Sequence, residues 1–309
     1  MNEDEAVLEL PDFDPKVTRR AVRRGVFRTA RVVLAVLLVL FLAAAGLTLV
    51  QKRGDRDERM KDVLGTAFKL YNPAYEVWTE SCCDITPWSM GFTVIASQIR
   101  AGGGFTGNGG SAHTITQDFF GRVGRLPLGN YANTNLSTSL ANVGTDLQRK
   151  EDIRKVLARL PDGLNALAVI EFATPARAEE VAAFSRDFGF CPQKVVYERR
   201  PGSVPITWGA TTWDRAPMPE GTTSCADDMK HHLAGFRAWS GLLRDHDDAN
   251  LRHFDLSLAR LRKAANDGLA YAVVDNLVPV EDLRKVVEDP RVRTVRLADV
   301  AFDLQRPRG

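Results

Sequence analysis

The side chains with most chemical promise lie late in the chain: His231-His232, His246-Asp247-Asp248 and His253. Imidazole and carboxylate are both zinc ligands, and histidine-rich tracts do hold metal. The spacing follows no H-E-x-x-H pattern, however, and adjacent histidines on a helix point to different faces. This spacing favours a solvated helix face. Nucleophilic catalysis fares no better. Gly109-Gly110-Ser111-Ala112-His113 has the letters of a serine elbow in the wrong arrangement, since that chemistry needs G-x-S-x-G. The glycine-rich segment (Gly102, Gly103, Gly104, Gly107, Gly109, Gly110) is followed by no Lys-Ser/Thr and opens no apolar helix. A surface loop or hairpin is expected there instead of a phosphate cradle. No catalytic, cofactor-binding or metal-binding residue is therefore assigned, no cofactor is expected, and the chain is read as a non-enzyme.

A cysteine nucleophile would need a free thiolate beside a base. Cys82, Cys83, Cys191 and Cys225 read better as oxidised partners. They are too few for a disulfide scaffold and lack the C-x-x-C spacing of a zinc module. Across a trans peptide, the Cα atoms of Cys82 and Cys83 would lie about 3.8 Å apart. The usual disulfide window is about 4.4–6.8 Å. The expected pairings send one of the two to Cys191 and the other to Cys225. Reduced thiols are the alternative if that part of the chain faces the cytoplasm.

What positions these groups begins with a membrane helix. Val32 to Val50 is a run of nineteen residues without a charge, and Thr48 is its only polar side chain. Such a helix is about 28 Å long, enough for a bilayer core of about 30 Å. Seven basic residues precede it, from Lys16 to Arg31, and five follow between Lys52 and Lys61, there diluted by Asp55, Asp57 and Glu58. The excess favours a cytoplasmic N-terminus. A cleaved signal peptide is the competing reading, because Ala43-Ala44-Ala45 resembles a small-residue cleavage site. On the anchored reading, residues 1–31 are a cytoplasmic segment, acidic and then basic. Residues 32–50 cross the membrane, 51–160 form a membrane-proximal outer region, and 161–309 form a C-terminal outer domain. The bilayer is the first partner, with anionic headgroups against the basic run.

Charged residues make up 26% of the 309 residues and the net charge is only +2. With no basic stripe interleaved with aromatics, nucleic acid is not an expected partner. Apolar residues recur at helical spacing from Met60 to Tyr71, and Asn72-Pro73 stops that helix. Gly91 to Ala96 reads as a strand. Further on, a pattern occurs twice: Asp-Gly-Leu, a β-branched strand closing on an acid (Glu171, Asp275), a proline (Pro175, Pro279), a helical run, and a closing strand. Proline at the first helical turn costs no hydrogen bond. Two such units predict an α+β fold whose C-terminal part is a ferredoxin-like or related βαβ-repeat sandwich. Between them, Ala226 to Arg244 and Asp248 to Asn266 each read as one amphipathic helix.

Three stretches then resemble the bacterial sigma-factor regulator family, membrane anti-sigma proteins with characteristic N- and C-terminal regions. They are the basic run and membrane helix followed by Lys69-Leu70-Tyr71-Asn72-Pro73; Gly103-Gly104-Phe105-Thr106-Gly107 with Gly121-Arg122-Val123-Gly124; and Val280 to Val295. The resemblance implies a one-pass protein whose outer domain senses or docks something, another membrane protein included. Its inner segment would restrain an extracytoplasmic-function sigma factor. The zinc-containing anti-sigma module needs His and Cys in the cytoplasm, yet the first of each here are His113 and Cys82. The sigma contact therefore falls to residues 1–31, with Ala6, Val7, Leu8 and Leu10 as an apolar strip folding on binding. An envelope-anchored binding or scaffolding protein without a transcriptional role is the alternative.

Overall fold

The computed structural model describes residues 15–53, 55–102, 110–128, 133–216 and 225–302. The chain divides into two compact units, Met1–Arg53 and Gly54–Gly309.

The first unit is one helix, α1 (Pro15–Lys52). Its stretch Val22–Lys52 is long and apolar enough to cross a membrane, and its most apolar window is not buried in the protein. The one polar side chain in the uncharged run is satisfied within the helix: Thr48 Oγ1 donates to Ala44 O at 2.9 Å.

The second unit opens with α2 (Arg56–Met60), which passes through a π turn (Lys61–Gly65) into α3 (Thr66–Tyr71). Met60, Val63, Leu64, Ala67 and Phe68 are buried, as their spacing predicts. Asn72 ends the helix, its amide side chain donating to Phe68 O at 2.9 Å. Strands β1 (Tyr75–Ile85), β2 (Ser89–Gln98) and β3 (Ser111–Asp118) follow as an antiparallel sheet in chain order. Then come α4 (Asn135–Ala141) and α5 (Lys150–Arg159).

The remainder runs β4 (Leu164–Ala176), α6 (Ala178–Phe188), β5 (Lys194–Val196), β6 (Thr207–Gly209), α7 (Cys225–Leu242), α8 (Asp248–Leu251), α9 (Leu258–Asp267), β7 (Ala270–Pro279), α10 (Val280–Val286) and β8 (Val292–Phe302). Its sheet has the order β6-β5-β7-β4-β8, with every neighbouring pair antiparallel. It follows that β4 and β5 run parallel with β7 between them, and β7 and β8 run parallel with β4 between them. The two βαβ units interleave, and the fold class is α+β. Both Asp-Gly-Leu turns put glycine in the left-handed region, Gly163 at φ 78° and Gly268 at φ 59°, which explains the residue type.

Strand β4 is buried without interruption from Leu164 to Phe172. Ala166, Ala168 and Ile170 join a large core with Phe68, Phe236 and Phe254, while Leu167 and Val169 join a smaller one with Leu136 and Leu140. Alternate residues thus serve opposite faces of a sheet covered on both sides.

Two local expectations are corrected. Pro175 lies on β4, and Pro279 ends β7 and caps α10. The prolines close strands, where a missing N–H is tolerated, and do not occupy the first helical turn. The single helix expected over 248–266 is broken into α8 and α9, joined by residues 252–257. Asp255 adopts φ 55°, and two side chains cap the restart: Asp248 Oδ1 accepts from Leu258 N at 2.8 Å, and Ser257 Oγ from Arg260 N at 3.4 Å.

Candidate functional site

Polar chemistry concentrates where α3 and the start of β1 meet the large sheet. Lys69, Tyr75, Glu76, Val77, Lys194, Thr207, Thr211 and Thr212 line a small, partly open pocket with room for little more than a water molecule. α3 supplies Lys69, β1 supplies residues 75–77, β5 supplies Lys194 and β6 supplies Thr207. Both lysines are buried. Lys194 Nζ donates to Pro73 O at 2.9 Å and Tyr75 O at 3.1 Å. Burial pushes its pKa down to about 8; Glu76 opposes the shift and Lys69 adds to it. Lys69 Nζ donates to Thr211 O at 2.9 Å and to Asp214 Oδ1 at 2.5 Å. The Thr211 hydroxyl donates to Glu76 Oε1 at 2.8 Å.

With two of its donors held by carbonyls of that turn, Lys194 acts as a strut holding the Asn72–Tyr75 turn against β5. The site is a polar joint between α3 and the sheet. Sequence reasoning missed it, because a lysine reads as solvated by default. The available signal was Lys194 directly before Val195-Val196, in a strand short enough to be wholly covered.

The two acids of the repeat are also buried, within their strands and not at the ends. Glu171 Oε2 accepts from Arg296 Nη1 at 2.5 Å, and Glu171 Oε1 from Arg293 Nη1 at 2.7 Å and Gly144 N at 3.1 Å. Among the described residues no cation pairs with Asp275 in this way. Its burial pushes the carboxyl up to about 6 against backbone donors that include Leu277 N at 2.8 Å.

The cysteines depart from the expected pairings: Cys82 is joined to Cys83, so neither is sent to Cys191 or Cys225. The physical reason is local. The β1–β2 register slips between Cys82 and Asp84, and a bulge breaks the alternation that would turn neighbours to opposite faces. Cys191 is also disulfide-bonded, while the Cys225 side chain lies outside the described residues. Among the described residues, one group of three ligand-type side chains converges: Asp57, Cys82 and Cys83, within 4.8 Å of one another. With the sulfurs joined, neither offers the thiolate a metal needs.

The histidine set does not converge. His231 and His253 are exposed. His232 is buried on α7, its Nδ1 lacks a partner, and desolvation pushes its pKa down to about 4. Asp247 Oδ2 is taken by Arg59 at 2.6 Å and Arg244 N at 2.7 Å, and Asp248 caps α9. The segment bearing Ala6, Val7, Leu8 and Leu10 lies outside the described residues, as do Gly103 to Gly109. Val32 and Val50 both lie within α1.

Comparison with protein-family models, with curated proteins and with solved structures finds no match to this chain.

Proposed function

We propose that this chain is a single-pass membrane regulator. Its outer α+β domain binds or senses a partner and passes that state through α1 to an inner protein contact. The observation that carries the reading is the contrast between the two units. A domain with a two-sided core is joined to a helix whose apolar surface has no protein cover, and a bilayer is the solvent that accepts such a helix. The excess of Lys and Arg before Val32 orients the N-terminus inward. The strand order β5-β7-β4-β8 supports a ferredoxin-like reading of the repeat.

The resemblance in the anchor, in Lys69 to Pro73 and in Val280 to Val295 makes an extracytoplasmic-function sigma factor the inner partner, acting through protein contacts and not through chemistry. The test removes Glu3 to Asp14 and keeps the basic run and anchor. Release of the sigma factor raises its target transcripts while the protein stays in the membrane. An unchanged transcript profile at normal protein level rejects sigma-factor restraint by this segment and leaves an envelope-anchored binding protein.

A further inference from the structure

At one end of the three-stranded sheet, two loops present aromatic rings to solvent. Trp88, in the β1–β2 turn, is 70% exposed, and Phe120, after β3, is 81% exposed. Neither loop is loose. Thr86 Oγ1 accepts from Ser89 N at 2.9 Å and Trp88 N at 3.3 Å, which fixes the first turn. Phe119 N donates to Trp88 O at 2.8 Å, which ties the second loop to the first. The Phe119 and Phe120 rings meet edge to face, with centroids 5.6 Å apart. Asp118, the loop's acid, accepts from Arg122 N at 2.8 Å. Arg122 and Arg125 remain exposed beside it.

The tip is also fastened to the start of the domain. Arg56 Nη2 donates to Asp118 O at 3.2 Å and Phe119 O at 3.0 Å. Arg56 follows Lys52, the last residue of α1, by four positions. Four residues span at most about 14 Å even when fully extended, whatever the orientation of the two units. Covalent continuity therefore keeps the aromatic tip near the place where the chain leaves the membrane helix.

We propose that Trp88 and Phe120 form a second membrane contact, a rigid aromatic tip seated in the headgroup layer of the bilayer that α1 crosses. This rests on the anchored reading of α1. The chemistry suits that layer: tryptophan concentrates at the membrane interface, phenylalanine joins it on apolar faces that lie at the headgroup boundary, and exposed arginines on such surfaces meet lipid headgroups. Two such contacts on one short tether hold the domain in a defined attitude to the membrane, the second binding being intramolecular once the first is made. A regulator that signals through its anchor gains from that restraint, because motion of the domain is then coupled to α1.

The test uses the full chain reconstituted into vesicles of phosphatidylcholine and phosphatidylglycerol, with bromine placed on the acyl chains close to the headgroups. Tryptophan quenching is compared between wild type and Trp88→Phe, with Trp78, Trp208, Trp213 and Trp239 as the constant background. Quenching is expected to fall by about twofold or more in the variant, as follows if Trp88 is the tryptophan at headgroup depth. Equal quenching, with the protein retained in the vesicles after alkaline carbonate, overturns the tip and leaves the anchor standing. Release by carbonate overturns both.

Discussion

Arg296 Nη1 lies 2.5 Å from Glu171 Oε2, and neither side chain reaches solvent. The pair joins β8 to β4 inside the sheet of the interleaved repeat. Removing Arg296 would leave the buried Glu171 carboxylate held by Arg293 and Gly144 N on one oxygen alone, so the loss should approach but not exceed the roughly 3–5 kcal/mol of a fully unpaired buried charge. Arg296→Leu should therefore lower the urea midpoint strongly. Replacing both residues by leucine should cost less than that single change, since no under-paired buried carboxylate remains. A double variant at least as unstable as Arg296→Leu would show that Arg293 and Gly144, and not the pair itself, carry the site.

Lys194 gives stability a rise on the alkaline side. Its folded pKa is near 8 and its ordinary value 10.5, so between these the unfolded chain holds the extra proton and stability climbs with pH. Below pH 8 the burial penalty is present in full. The span corresponds to roughly 3 kcal/mol. Denaturation midpoints from pH 7 to 10 should rise in wild type and stay flatter in Lys194→Met. The variant also leaves Pro73 O and Tyr75 O without their donor, so it should be less stable at pH 10, where wild type keeps a neutral amine. Parallel pH profiles would mean that Lys194 is solvated.

On the acid side two buried groups act in opposite senses. His232, with a folded pKa near 4, is neutral in the fold and protonated when unfolded between pH 6.5 and 4. Stability therefore falls as pH drops through that window. Asp275, with a folded pKa near 6, takes up its proton first in the folded state, and stability gains as pH drops from 6 toward 4. Each effect is roughly 3 kcal/mol, so wild type should show a muted slope. His232→Leu should make the domain gain stability on acidification, and Asp275→Asn should make it lose more than wild type. Identical slopes in the three proteins would reject the burial argument for both.

The parts of this fold that could be read from the chain are those written in local chemistry. The β-branched runs after Gly163 and Gly268 and the apolar spacing from Met60 to Tyr71 each settle an element within about a dozen residues. The interleaving of β4 with β7 and β8 follows from the repeat once two units share a sheet. What could not be read joins distant positions. Glu171 and Arg296 are separated by 125 positions, and Lys194 meets the carbonyl of Pro73 across 121. No periodicity connects such residues, and a charged side chain gives no sign that it will be buried. The break between α8 and α9 was missed because Asp248 and Ser257 read as ordinary helix-surface polar residues, whereas both serve as caps.

The cysteine pairing can be tested by chain cleavage alone. Cys82 and Cys83 share one strand, and their sulfurs are joined to each other, while Cys191 belongs to a separate disulfide. Digestion of the unreduced full chain between Cys83 and Cys191 should release one peptide holding both Cys82 and Cys83. That peptide should gain the mass of two hydrogen atoms on reduction and should carry no second chain. Thiol tagging of denatured, unreduced protein from intact cells should find no free cysteine, as an outer location of the domain requires. A peptide linking residue 82 or 83 to Cys191 would restore the long-range pairing that separation along the chain suggested. Untagged blockage at all four positions together with that linkage would keep the outer location and reject only the neighbouring pair. Four free thiols would reject both, and with them the inward orientation of the N-terminus.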